Sequence, residues 1–340
     1  MKRRSIVLAG LVGLAMTASA VAQDVTLRLH QMLPAQATIP AKAIEPWAAK
    51  VAEESGGRIK VELYPAMQLG GAPPELYDQA KDGVVDVIWT VLGYTPGRFP
   101  KSEVFELPFM IHNGEEGSAA FYNYVMANSA EEFDGVKVIA LHTHGPGLFH
   151  TKRPVNTLED LKGMKIRGGS RIISGMLAEL GAEPVGMPVP QTTEALSKGV
   201  IEGTTVPWEV TPSLKISELV TNHTGFSGQY GLYTQTFGFV MNMDSYNRLP
   251  DDLKKVIDDN SGLETSRQFG RVMDEGDAVG LKIAQDRGNT IITLDDAETA
   301  RWQAAAQPTI DKWVADINAA GNDGAALLAA ARAAIAAEAK

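Results

Sequence analysis

Between Val25 and Val91 the period of the apolar residues switches back and forth, and this switching restricts the fold more than any other feature of the chain. Val25-Thr-Leu-Arg-Leu-His30 alternates apolar and polar residues, as a half-buried strand does. Ile39, Ala43, Trp47 and Val51 then recur every fourth residue and mark a helix face. Pro46 is expected to bend that helix and Gly56-Gly57 to end it. Arg58 to Tyr64 reads as a second strand, Pro73 to Lys81 as a short helix and Val84 to Val91 as a buried strand. A βαβαβ order of this kind builds an α/β domain around a mainly parallel sheet.

The pattern resumes further on. Gly114 to Asn128 is a predicted helix and Val136 to His142 a strand, with another strand starting near Leu148. Thr157-Leu-Glu-Asp160 has the form of a capping box, with Asp in place of Glu. Met164 to Arg167 is a short strand closed by Gly168-Gly169, with a helix from Ser170 to Leu180. Thr192 to Lys198 is helical, Gly199 to Pro207 strand and turn, and Tyr233 to Met241 a strand. Pro250 to about Arg287 reads as one unusually long helix in which Gly262, Gly270, Gly276 and Gly280 mark bends. Asn289 to Leu294 is a strand, and two further helices follow from Ala297 and from Asp323. No flexible linker separates the two α/β units, so the chain is expected to cross between them more than once. Ligands of such folds sit in the crevice at the carboxyl ends of strands, and Arg167 occupies that kind of position beside glycines that permit close approach.

The N-terminus fixes the expected compartment. Lys2, Arg3 and Arg4 precede an uncharged apolar run from Ile6 to Met16, and Ala20-Val21-Ala22 offers a small-x-small cleavage site. This is the order of a secretory signal peptide cleaved after about Ala22, and the run is shorter than the roughly 20 residues a membrane span needs. The chain has no cysteine, so disulfides and thiolate metal sites are excluded and its stability rests on an ordinary core, for which 44% apolar content suffices. The net charge of −10, more acidic still without the leader's positive residues, argues against nucleic-acid binding. An acidic protein that binds an anion needs a local cation, and one buried arginine provides it through short charge-assisted hydrogen bonds.

Seven segments together resemble the solute-binding subunits of tripartite ATP-independent periplasmic (TRAP) transporters, the DctP family. They are Gly57-Arg-Ile-Lys-Val to Tyr64-Pro65 with Gln68-Leu-Gly70; Lys81-Asp-Gly-Val-Val-Asp86; Phe105-Glu-Leu-Pro-Phe109; Leu158-Glu-Asp-Leu-Lys-Gly-Met-Lys-Ile-Arg167; Gly199-Val-Ile-Glu-Gly203; Met241-Asn242; and Leu249-Pro-Asp-Asp-Leu253. The resemblance spans nearly all of the chain after the leader. It implies a type II-like, two-domain periplasmic-binding-protein fold with crossing hinge strands and a long connecting helix. Domain I would comprise residues 23–144 and about 234–275, and domain II residues 145–233 and about 276–340. It implies capture of a small organic acid in the periplasm by a non-catalytic monomer that needs no cofactor or metal, with delivery to a small and a large membrane subunit.

Arg167 matches the arginine that pairs with the substrate carboxylate in this family. The rest of the pocket departs from the sialic-acid-type members, which carry a second arginine in the preceding strand and an Asn in an Asp-Gly-Gln-Glu-Asn-Pro turn. Here Gly145 to His150 contains no arginine, and the turn reads Glu202-Gly-Thr-Thr-Val-Pro207. Phe149, Val189, Trp208, Trp89 and Tyr94 are the candidate walls, which points to a monocarboxylate with an apolar or aromatic body. His30 and Glu209 are further polar candidates, and Asn242 serves either the ligand or the hinge. His142 and His144 share a strand face, but no third ligand is fixed by spacing, so a polar contribution to the cleft is the better reading. Glu103 and Glu106 flank a Leu-Pro turn without a nucleophile to serve. A catalytic alternative lacks a Gly-x-Ser-x-Gly or His-Glu-x-x-His motif. A sensor that reports its bound state to a receptor would use the same fold.

Overall fold

The computed structural model describes residues 25–228 and 230–339. The expected leader and its cleavage site at Ala22 lie outside the described residues. The strands are β1 (Val25–Gln31), β2 (Ile59–Tyr64), β3 (Val87–Val91), β4 (Val136–Thr143), β5 (Leu148–Thr151), β6 (Lys165–Gly168), β7 (Glu183–Gly186), β8 (Gly203–Val206), β9 (Asn222–Phe226), β10 (Thr236–Asn242) and β11 (Thr290–Leu294). They form two sheets, ordered β2-β1-β3-β10-β4 and β11-β9-β5-β8-β6-β7, each the centre of one lobe.

The sheets are mixed rather than mainly parallel. β1 runs parallel to β2 and β3, as the βαβαβ reading requires, but β10 lies antiparallel to both β3 and β4. The reason is connectivity. The chain leaves the first sheet through β4, builds most of the second, and returns through β10 against the direction of its neighbours. The two crossings run side by side: the Gly147 N–H donates to Tyr233 O (2.8 Å) and the Leu232 N–H to Gly147 O (3.2 Å). Strands β7 and β9 have no counterpart in the sequence reading. Glu183-Pro-Val-Gly186 and Asn222-His-Thr-Gly-Phe226 each contain glycine and polar residues where a strand pattern wants apolar ones, and their pairing comes from distant partners.

The long helical stretch is two helices, Asp251–Asp259 and Leu263–Asp286. Gly262 makes the break with φ 97°, and its N–H donates to Ile139 O (2.8 Å). The other glycines stay inside the second helix. A Cβ on Gly270 would stand 2.1 Å from Gly114 O, and one on Gly280 would stand 2.1 Å from Trp208 O. They are therefore points where this helix touches the backbone of each lobe in turn, not the expected bends. Asp274 accepts from the Gly114 and Glu115 N–H groups (2.6 and 2.9 Å) and Asp277 from the Glu209 N–H (2.7 Å), so the helix straps both lobes. Pro46 does not stop the helix but follows a π-helical turn, Pro40–Ile44, that runs straight into the helix Glu45–Glu54, so the irregularity expected at the proline takes the form of a π-turn just before it.

The C-terminal region divides differently from the expected domain II. The helix Asp296–Ala319 puts Trp302 into the second lobe against Phe149 and Phe226, while Trp313 Nε1–H donates to Pro100 O (3.0 Å) in the first. The helix Gly324–Glu338 docks on the first-lobe helix Gly114–Asn128, where Glu338 meets Asn123 (3.1 Å), and it is fixed further by Arg267 (2.7 Å). Among the described residues no helix is long and apolar enough to cross a membrane.

Candidate functional site

The end of β6 places Arg167 between the lobes. Its side chain is fully buried (0% exposed), which is uncommon for a cation. Nε–H donates to Met187 O (3.0 Å), Nη1–H to Thr205 O (3.3 Å) and Nη2–H to Tyr94 Oη (3.5 Å). Three of its five N–H donors are thus used, all on neutral oxygens, and no carboxylate of the described residues forms an ion pair with it. A buried guanidinium without a counter-ion costs stability unless an anion arrives to pair with it. The glycines that follow give it room. A Cβ on Gly169 would stand 2.2 Å from Gln235 Oε1, so only glycine lets the strand end approach the returning crossover.

Tyr94 reaches Arg167 from the first lobe. Its hydroxyl accepts from the Val189 N–H (2.8 Å) as well as from Arg167. Burial pushes this phenol up, with the Arg167 charge opposing the shift. Arg167, Tyr94 and Val189 border one cavity whose apolar surface includes Met32, Trp89, Val91, Phe237, Val206 and Met273. Trp89 and Phe237 stack at 5.3 Å with an interplanar angle of 6° and form a flat aromatic floor. The cavity measures about 30 Å³, room for one or two waters rather than a ring.

Two histidines complete the floor. His142 lies behind it, accepting from Trp89 Nε1–H (2.8 Å) and stacking on Phe237 at 4.6 Å. His144 lines the cavity, but both nitrogens are spent. Nδ1–H donates to Gly145 O (2.5 Å), and Nε2 accepts from the Gln235 N–H (3.0 Å). Burial holds His142 down at about 3 and His144 at about 4, so both are neutral. Glu209 and Gln235 are the remaining polar members of the wall.

Four candidates from the sequence stand elsewhere. Trp208 turns away from the cavity and packs on His150 (5.0 Å) and His223 (4.8 Å), because the turn that brings Pro207 and Glu209 to the wall sends the residue between them outward. Phe149 points to the other face of its sheet and packs on Trp302 (5.4 Å) in the second-lobe core. His30 is satisfied in the first lobe, with Nδ1 on Gln79 Oε1 (2.7 Å) and Nε2 accepting from the Leu69 N–H (3.3 Å). Asn242 is a helix cap: its side chain accepts from Ser245 N–H and donates to Ala80 O, both at 2.8 Å. Conversely, Met32, Phe237, Gln235 and Met273 line the cavity and were not singled out. Phe237 had a usable signal, since it alternates with Phe239 on the returning strand.

Glu103 and Glu106 join the lobes across the mouth. Glu103 pairs through both oxygens with Arg171, which also meets Asp316 (3.4 Å). Glu106 accepts from Ser170 Oγ (2.5 Å) and from the backbone and hydroxyl of Thr236 (3.1 and 3.0 Å). Burial pushes Glu103 up to about 7 although Arg171 opposes it, and raises Glu106 as well. Among the described residues no group of three or more His, Asp or Glu side chains is placed to hold a metal ion.

Comparison with known proteins agrees with this architecture. A TRAP solute-binding protein from Rhodoferax ferrireducens, solved with copurified benzoate, is 50% identical and superposes with a TM-score of 0.91 over 92% of this chain and 98% of its own. A marine-metagenome TRAP protein specific for aromatic acid ligands, solved with 3-hydroxybenzoate, is 48% identical with a TM-score of 0.92 over 94% and 100%. A TRAP periplasmic protein from Bordetella bronchiseptica, with bound (R)- and (S)-mandelate, is 30% identical with a TM-score of 0.84 over 92% and 99%. The profile of bacterial extracellular solute-binding protein family 7 matches residues 30–316. The chain belongs to this family, DctP, the solute-binding proteins of TRAP transporters.

Proposed function

We propose that this protein captures an aromatic monocarboxylate in the periplasm, as a monomer, and delivers it to the membrane subunits of a TRAP transporter. One observation carries the reading: the Arg167 guanidinium is buried without a carboxylate partner beside the Trp89–Phe237 floor. A carboxylate would take the two N–H donors left free, and a ring would lie on the aromatic floor. The benzoate, 3-hydroxybenzoate and mandelate held by its relatives support the same chemistry. A second arginine for a second carboxylate is not among the cavity's lining residues, which weighs against dicarboxylates. Arg167, Tyr94, Val189 and Trp89 are the binding residues in this reading.

Calorimetric titration tests it with benzoate, benzamide, succinate and glucuronate. Benzoate binds, and benzamide, the same shape without the charge, binds at least about a hundredfold more weakly, the equivalent of two charge-assisted hydrogen bonds. Preference for succinate or glucuronate overturns the proposal.

A further inference from the structure

Glu209 is a buried acid that the carboxylate-capturing pole of the site does not use. It follows Pro207 and Trp208 in a short helical turn, and its main chain is fixed from two sides. The N–H donates to Asp277 Oδ1 (2.7 Å) on the long helix, and the carbonyl accepts from Thr38 Oγ1 (3.5 Å) of the first lobe. The side chain lies against Gly276, where a Cβ would come within 2.6 Å of Glu209 Cγ. Its position is therefore set by the scaffold.

The residue is 4% exposed and lines the cavity; Thr38 acts on its carboxyl through a side-chain hydrogen bond, while its Oε1 is buried with no hydrogen-bond partner. One other buried side-chain atom of the cavity wall shares that condition, Gln235 Nε2. The Arg167 charge acts on Tyr94, His144 and Tyr233 but is not among the influences on Glu209. Gln235 lies against Gly169, two residues after Arg167. Glu209 lies on the short helical turn after Pro207 and forms no ion pair with Arg167. A buried acceptor left unpaired is unfavourable, and a ligand group that pairs with it recovers that cost.

The cavity thus carries donors around Arg167, an aromatic wall in Trp89 and Phe237, and a buried acid that does not pair with the guanidinium. We propose that Glu209 is a specificity residue that selects, among aromatic monocarboxylates, those bearing a hydroxyl or amino group on the side of the ring away from the carboxylate. The inference rests on the aromatic-acid reading above. Burial pushes the Glu209 carboxyl up to about 7, so the ring substituent meets an acid that can accept from it when ionised or donate to it when protonated.

The test is calorimetric titration of the wild-type protein with benzoate, 3- and 4-hydroxybenzoate and the two matching methylbenzoates, then of Glu209→Met and Glu209→Gln. The wild type prefers at least one hydroxybenzoate over its methyl counterpart by at least about tenfold, as a site built to pair a hydroxyl does. Glu209→Met brings that ratio to within about threefold of unity. Glu209→Gln, which keeps an acceptor, retains part of the preference. An unchanged ratio in Glu209→Met overturns the proposal, as does a variant whose hydroxy and methyl ligands weaken equally. Failure of the wild type to bind benzoate overturns the aromatic-acid reading itself, and the selectivity claim falls with it.

Discussion

Replacing Arg167 by methionine separates an anion anchor from a structural strut. The two free N–H donors would each form a charge-assisted hydrogen bond of about 1.5–3 kcal/mol with a ligand carboxylate. Their loss therefore weakens binding by roughly 3–6 kcal/mol, or about 10² to 10⁴ in Kd. The ligand-free protein responds differently. Methionine abandons Met187 O and Thr205 O, which costs about 1–3 kcal/mol for each carbonyl left dry. It also removes a buried cation that has no carboxylate partner, which returns several kcal/mol. The two terms offset, so the apo melting temperature moves by no more than about 3 °C. Titration calorimetry with benzoate and thermal unfolding of the apo protein, run on the same preparation, read both numbers. A loss of affinity below tenfold refutes the anchor, and a large fall in apo stability shows that Arg167 is a strut.

Arg171→Leu removes the partner of Glu103 at the mouth; it raises the ligand-free radius of gyration in small-angle scattering, saturating ligand restores the compact value, and affinity drops several-fold because closure becomes less populated. No change in the ligand-free radius would show that the pair does not hold the lobes together. The pH dependence of stability follows from opposed groups. Burial lowers His142, His144 and His150 to between about 3 and 4, so their stabilisation is complete above pH 6.5 and is lost as pH falls towards those values. Glu103 and Glu209, raised to about 7, work the other way and gain as pH falls from about 7 to 4.5. The urea midpoint should therefore stay nearly level between pH 7 and 4.5 and drop steeply below; a drop beginning at pH 6.5 would show that the carboxyls do not compensate. Gly270→Ala forces a Cβ against Gly114 O and costs at least about 2 kcal/mol in urea unfolding, whereas Gly175→Ala, on an exposed helical position with open space, gains about 0.5–1 kcal/mol. Equal effects at the two positions would deny that the long helix is in tight contact at Gly270.

What the sequence revealed and what it concealed divide along physical lines. The placement of Arg167 was legible because the signal was local: a short strand, a pair of glycines and a lone cation at the strand end. The capping box at Thr157 and the helix at Ser170 were legible for the same reason, since a cap depends on residues three positions apart. Trp208 misled because its chemistry suits a wall, while its direction depends on the turn around Pro207 and on a pair of histidines from distant strands. Phe149 misled by one residue of strand parity, which sends a side chain to the opposite face. The roles of Glu103 and Asn242 come from partners far along the chain, and no local pattern announces such contacts. Strands β7 and β9 are held by their neighbours more than by their own composition.

Among the described residues four connections run between the lobes: the segments around Gly147 and Tyr233, the helix pinned by Asp274 on one side and Asp277 on the other, and the helix Asp296–Ala319 with Trp302 in the second lobe and Trp313 in the first. Several struts anchored at both ends resist sliding of one lobe past the other. The Trp89–Phe237 stack sits within the first lobe, on β3 and β10, so it travels as a unit when the struts flex. Under the proposed aromatic-acid reading, an arriving ring would meet a landing surface that is already assembled. Discrimination by shape would then fall at encounter, and the Tyr94–Val189 hydrogen bond between the lobes would govern chiefly how long the guest stays.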